Sequence, residues 1–229
     1  MIVVESDIPS SWLKFLYKSS AVVVMSDDHY LKNIPKDFYR IYPIVSGQGD
    51  ACFFRDADSH LTKYEMDSMT RFIDSNFMYH IVRDHPNHLA PIMGGLFGIK
   101  SIKYETFKDA FFSNISKYKF ANKSWRNEKS GARGDQTILA DHIYPLAYKE
   151  ALIESNFVLF WNERLLVSEC KIPKIKSSFM GQIDPEFNPD NERDIRDYKL
   201  GVKKFYLPYR MFKFFRYRYL YRLYWSVKN

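Results

Sequence analysis

Two carboxylates one residue apart, Asp56 and Asp58, follow the run Ala51-Cys52-Phe53-Phe54-Arg55. In an extended segment residues i and i+2 point the same way, so both side chains can converge on one cation. Paired hard oxygen donors suit Mg²⁺ or Mn²⁺, ions that keep octahedral oxygen coordination and bridge phosphates. Ala57 between them leaves room for a ligand. A solvated turn is the competing reading, because Asp is common in turns and Asp58-Ser59 can cap a following helix.

Two further stretches carry more chemistry than a plain loop needs. Arg83, Asp84, His85 and His88 stand just before Gly94-Gly95. Two glycines in an apolar strand weaken it unless another group must approach the backbone; a β-bulge is the alternative. His80, His85 and His88 could be imagined as a zinc site, but no Cys assists and the spacing matches no recurring pattern. Later, Gly134-Asp135-Gln136 opens a helix, where Asp135 caps well in any protein. Asp141 and His142 lie about two turns further along, a reserve for metal or substrate contacts. Lys119, Lys123, Lys129 and Arg133 precede Asp135 in a polar segment that could close over an anion.

The elements that must position these residues alternate between strand and helix. Ile2-Val3-Val4, Ala21 to Met25, Ala51 to Phe54 and Tyr79 to Val82 read as strands, the second a β-branched run fit for burial on both faces. Pro91 to Ile99 is apolar but glycine-rich, and Phe157 to Phe160 is again strand-like. Ser10 or Ser11 can cap a helix through Leu16. Thr62 and Glu65 have the spacing of a capping box, and Met66, Met69, Phe72 and Ile73 continue at helical spacing, which predicts a helix over 63–75. Helices are also expected over Tyr104 to Lys117 and Gln136 to His142. Phe38 to Val45 is ambiguous. Such alternation predicts an α/β fold with a largely parallel central sheet flanked by helices. In such sheets ligands bind beyond the carboxyl ends of the strands, where Asp56 and Asp58 stand.

The words "FRDADSHLT", "YHIVRDHPNHLAPIMGGLFGIK" and "GDQTILADHIYP" in this order resemble the metal-dependent glycosyltransferases of the GT-A type. The likeness is closest to a bacterial and large-virus group of small sugar transferases, and the order of motifs is that of glycogenin-like enzymes. It covers roughly residues 35 to 185. The resemblance implies a GT-A-like fold, a nucleoside-diphosphate sugar donor and a glycan or lipid-linked hydroxyl acceptor. It implies Mn²⁺ or Mg²⁺ on the diphosphate, held by Asp56 and Asp58. Arg55 would pair with a phosphate or a sugar hydroxyl, or form a salt bridge to one of the two aspartates. Arg83 and Asp84 would hold the donor sugar or order the site, and Gly94-Gly95 would pass beneath it. Asp135 and Gln136 would face sugar and acceptor from the other side. Asp135 would be the base of an inverting enzyme, or would orient substrate in a retaining one. Relative to this group the chain starts at its second strand, so the expectation is an N-terminally shortened form, a fragment or a degenerate protein.

The chain has 229 residues and is 46% hydrophobic and 17% aromatic, enough for a real core and too apolar for disorder. Cys52 and Cys170 are too few for a disulfide framework and read as reduced core residues of a cytosolic protein. Residues 2–7 are too short and acidic for a signal peptide, and no apolar run reaches a membrane span. The net charge of +7 is concentrated in residues 203–229, which hold eight Lys or Arg and no acid, leaving the body near neutral. Two regions follow: a catalytic body, 1–202, reached through a polar loop from Asp184 to Asp197, and a basic aromatic tail, 203–229. Basic and aromatic residues interleaved in this way suit an anionic membrane surface. Packing or oligomer contact comes next and nucleic acid last, so the protein is expected in the cytoplasm, peripheral on a membrane. A non-catalytic protein acting through this tail on lipid or nucleic acid is the rival reading.

Overall fold

In the computed structural model the described residues are 2–4, 8–18, 23–25, 27–31, 34–56, 59, 61–85, 88, 90–116, 134–155, 160, 163, 180, 181 and 196. The chain divides into two compact units, Met1–Gly49 and Asp50–Asn229. The expected boundary at 202/203 and the whole tail lie outside the described residues.

The first unit holds strand β1 (Ile2–Val4), helix α1 (Ser10–Lys18), strand β2 (Val23–Met25), a 3₁₀ turn (Lys36–Ile41) and helix α2 (Tyr42–Val45). β1 and β2 pair in parallel, Ile2 opposite Val23. Ser10 lies inside α1 and Pro9 supplies the first helical acceptor, to Leu13 N–H at 3.2 Å, so neither serine is the residue preceding the helix. The ambiguous Phe38–Val45 stretch is helical throughout, and it buries Phe38, Ile41, Tyr42 and Ile44. The Asp28 carboxylate fastens this part, accepting from Tyr30 N–H at 2.9 Å and from Tyr42 O–H at 3.3 Å.

The second unit is built on a four-stranded sheet of order β3-β5-β4-β6: β3 Ala51–Arg55, β4 Tyr79–Arg83, β5 Leu96–Lys100 and β6 Ala151–Ser155. Helix α3 (Lys63–Asp74) follows β3. Helix α4 (Tyr104–Ile115) follows β5. A continuous helical run of α5 (Gly134–Ile138), a π turn (Leu139–Ile143), α6 (Tyr144–Ala147) and a 3₁₀ turn leads into β6. The unit is α/β, but the sheet is mixed rather than largely parallel. β5 runs antiparallel to both β3 and β4, and only β4 and β6 pair in parallel. A parallel return from β4 needs a crossover helix, and the connection over 84–95 carries Pro86, Pro91 and two glycines instead.

Alternation assigns the faces. Phe53, Gly98 and His80 form a row across three strands under α3, where Phe72 stacks on the His80 ring at 5.3 Å. A Cβ on Gly98 would come within 2.9 Å of the Phe53 ring, so the missing side chain makes room for that aromatic row. On the other face Tyr79, Phe97, Phe107 and Phe111 form a ladder of near-parallel rings that joins the sheet to α4. β4 is central and buried along its whole length. A strand not expected from the sequence, β6, forms at 151–155; of the strand expected at 157–160, residues 157–159 lie outside the described residues.

Helix α3 begins as predicted, with Thr62 Oγ1 accepting from Glu65 N–H at 3.2 Å. Its buried stripe differs from the expected apolar one. Tyr64, Glu65, Ser68 and Phe72 face the sheet, while Met66 and Ile73 are exposed. The polar pair has partners in the sheet. Ser68 Oγ donates to Glu154 of β6, and His80 Nε2 lies 3.0 Å from Ser68 Oγ and 2.9 Å from Glu154 Oε2. Arg71 closes the cluster from the rim, Nη2 to Glu154 Oε1 at 2.6 Å.

Candidate functional site

The register brings two of the three motif words to one end of the sheet. Arg55 pairs with Leu96, so the residue after β3, Asp56, meets the residues before β5, Gly94 and Gly95. β4 ends at the same edge, delivering Arg83, Asp84 and His85. The two glycines therefore lie in the turn that enters β5 and not in the strand itself.

Gly95 is the tightest point. A Cβ there would stand 2.3 Å from Asp56 Oδ2 and 2.6 Å from its Cγ. A side chain at 95 would require the Asp56 carboxylate to shift, and the two glycines stand in a turn and not in a bulge. Asp56 is exposed at this edge, and Ser59 N–H donates to its carbonyl at 3.2 Å, closing a turn. Asp58 lies outside the described residues.

Arg55 is half-buried and has partners on α3 and in the following turn. Its Nη1 forms an ion pair with Glu65 Oε1 of α3, and its Nη2 points at the Ser59 carbonyl at 3.4 Å. Burial lowers the pKa of Arg55 while the neighbouring Asp56 charge raises it. β3 points Arg55 into the α3 face, which brings it to Glu65.

Arg83 is also turned inward, on the α4 face. It is fully buried, with Nη2 2.6 Å from Glu163 Oε2, Nη1 donating to the Pro91 carbonyl at 3.1 Å, and the guanidinium 4.9 Å from the Phe160 ring centroid. Glu163 also accepts from Tyr144 O–H at 2.9 Å and from Phe160 N–H at 2.8 Å. Burial, and after it the Glu163 charge, pushes the Tyr144 hydroxyl well up, so it stays a neutral donor. Arg83 is thus held by internal partners on every side that the structure describes. Asp84 is likewise buried and accepts from Met180 N–H at 3.2 Å. Met180 in turn packs with Tyr64, Val82 and Leu96.

The imagined histidine trio is divided. His80 belongs to the Glu154 cluster under α3, while His85 and His88 stand together beyond β4 with ring centroids 5.4 Å apart. Burial, and then the neighbouring His85, pulls His88 down to about 3. Among the described residues no group of three or more His, Cys, Asp or Glu could hold a metal. Asp135 stands in the first turn of α5, and its side chain is outside the description. Gln136 and His142 are half-buried and Asp141 is exposed. The basic segment 119–133 lies outside the described residues.

Glu65 and Glu163, the two carboxylates that hold Arg55 and Arg83, escaped the sequence reading. A signal existed for the first: Glu65, Ser68 and Phe72 share one helical face. For Glu163 there was none, since its partner lies eighty residues earlier. No family model, curated protein or solved structure matches the chain. Among the described residues no helix is long and apolar enough to cross a membrane.

Proposed function

We propose that this protein is a metal-dependent glycosyltransferase of GT-A-like fold, moving a sugar from a nucleoside-diphosphate donor to a glycan or lipid-linked hydroxyl. One observation carries the reading. Gly95 leaves its side-chain space to the Asp56 carboxylate, at the sheet edge where Asp56, Gly94-Gly95 and the Arg83-Asp84 pair converge. Hard oxygen donors in that place fit Mg²⁺ or Mn²⁺. Asp56 and Asp58 would hold the ion, which when bound supplies neutralising charge to a departing diphosphate.

The chain's own residues do the rest. Gly95 gives its side-chain space to the Asp56 carboxylate, and Gly94 beside it is proposed to lie beneath the donor sugar. Arg83, fixed by Glu163 and Pro91, holds the end of β4 rigid, and Asp84 ties residue 180 beside it. Asp135 and Gln136 are proposed on the acceptor side, Asp135 as base or as orienting group. The tail, 203–229, is proposed to rest on an anionic membrane surface, which co-sedimentation with phosphatidylserine vesicles measures; substituting Arg216, Arg218 and Arg222 by Ala should release the protein.

The direct test is thermal unfolding against a panel of nucleoside-diphosphate sugars with and without Mn²⁺. A bound donor at about a hundred times its Kd should add roughly 2.7 kcal/mol of stability. The gain should need Mn²⁺ and should vanish in Asp56→Ala and Asp58→Ala with the melting of the unliganded protein preserved. No response to any donor, with lipid or nucleic acid binding intact, favours the non-catalytic reading.

A further inference from the structure

Helix α3 carries two kinds of charge. Glu65 in its first turn and Arg71 in its last suit the helix dipole, and both have partners in the sheet, Arg55 and Glu154. Lys63 at the first position and Asp74 at the last are exposed and stand the wrong way round, a cation at the positive end and an anion at the negative end. Neither makes an ion pair among the described residues. For the helix alone these two charges are a loss.

The same outer surface is apolar where the periodicity predicts core. Met66 is 46% exposed and Ile73 54%, on one stripe with half-buried Met69 between them. Lys63, Asp67, Thr70 and Asp74, all exposed, form the line beside it at helical spacing. Both lines are self-complementary about the middle of the helix. In an antiparallel pair each flank meets the same flank of the other helix. Lys63 of each copy then meets Asp74 of the other, Asp67 faces Thr70, and Met66 packs on Ile73. A parallel pair would set Lys63 on Lys63 and Asp74 on Asp74, so the charges select the antiparallel arrangement.

We propose that the outer face of α3 is an interface with a second copy of this chain. Two α3 helices pack antiparallel across a two-fold axis, with Met66, Met69 and Ile73 at the seam and a Lys63–Asp74 pair at each end. The charges identify the occupant. Opposite signs at mirrored positions are matched by the same helix reversed, whereas Asp67 and Asp74 oppose an anionic membrane. Three turns of helix make a small interface, so the dimer belongs to the weak, concentration-dependent class. Neither a sugar donor nor a cation enters this inference.

Sedimentation velocity of the full chain over roughly 1–300 μM tests it, with far-UV circular dichroism of each variant. Wild type should pass from monomer to dimer within that range. Ile73→Asp should weaken the dimer at least tenfold, because it places a charge in the seam. Lys63→Glu alone and Asp74→Lys alone should each weaken it roughly three- to tenfold, and Lys63→Glu/Asp74→Lys should return to within about threefold of wild type. Both charge changes suit the helix dipole, so folding is not at stake in them. A chain that stays monomeric throughout overturns the proposal, as does a dimer indifferent to these substitutions or a double variant as weak as the singles. Vesicle binding lost in Ile73→Asp, with wild type monomeric, assigns the stripe to lipid and overturns it too.

Discussion

Gly95 and Asp56 form a contact that depends on one atom being absent. With a Cβ placed 2.3 Å from Oδ2, an alanine at 95 must displace either the carboxylate or the turn that enters β5. Gly95→Ala should therefore weaken Mn²⁺ binding by roughly 10–100-fold, the range for disturbing a ligand's immediate support. Calorimetry on the folded variant reads this directly. Gly98 shows the same device used for packing: its missing side chain admits the Phe53 ring beside His80. Gly94-Gly95 stand out in the sequence for what two glycines cost a strand, whereas the constraint on Gly98 comes from a ring on the neighbouring strand.

At the scale of elements, β4 is held at its carboxyl end by a buried charge pair. Arg83 and Glu163 are both fully buried, and Glu163 takes two further hydrogen bonds, from Tyr144 and Phe160. Arg83→Met should cost about 3–5 kcal/mol, because it leaves a buried carboxylate without its counter-charge. Arg83→Met/Glu163→Leu should recover only part of that loss, because the Tyr144 O–H and Phe160 N–H lose their acceptor, as urea denaturation of the two variants will show. An Arg83 that contacted only a ligand would instead cost little stability when removed. Helix α3 carries the other element-scale lesson. Its start was legible from Thr62 and its length from periodicity, yet which residues face inward was not, because Glu65, Ser68 and Arg71 are placed by partners on β3 and β6.

At the scale of the whole molecule, the second unit joins its sheet to α3 through the cluster around Glu154. Burial pushes this carboxyl up, but hydrogen bonds from His80 and Ser68, the His80 charge and the Arg71 hydrogen bond outweigh it and bring it down to about 2 from 4.5. A depressed folded-state value stabilises the protein above the unfolded pKa. That contribution, about 3 kcal/mol, should be complete above pH 4.5 and fade as pH falls towards 2. Urea melts between pH 5 and pH 2 measure it, and Glu154→Gln should flatten the profile in that window. The first unit has its own anchor in Asp28, which accepts from Tyr30 and Tyr42.

Local chemistry in the sequence by itself determined the segments β1 to β4, the helix over 63–74, the helix from Tyr104 and the α/β class, since each rests on side-chain period, capping or β-branching within a few residues. The Asp-x-Asp word at the end of β3 was visible for the same reason. Only the tertiary structure decided the mixed sheet, the inward turn of Arg55 and Arg83, and the fit of Gly95 to Asp56. Strand direction and charge pairing depend on what lies across the fold, and residues ten to eighty positions apart leave no periodic trace of their meeting.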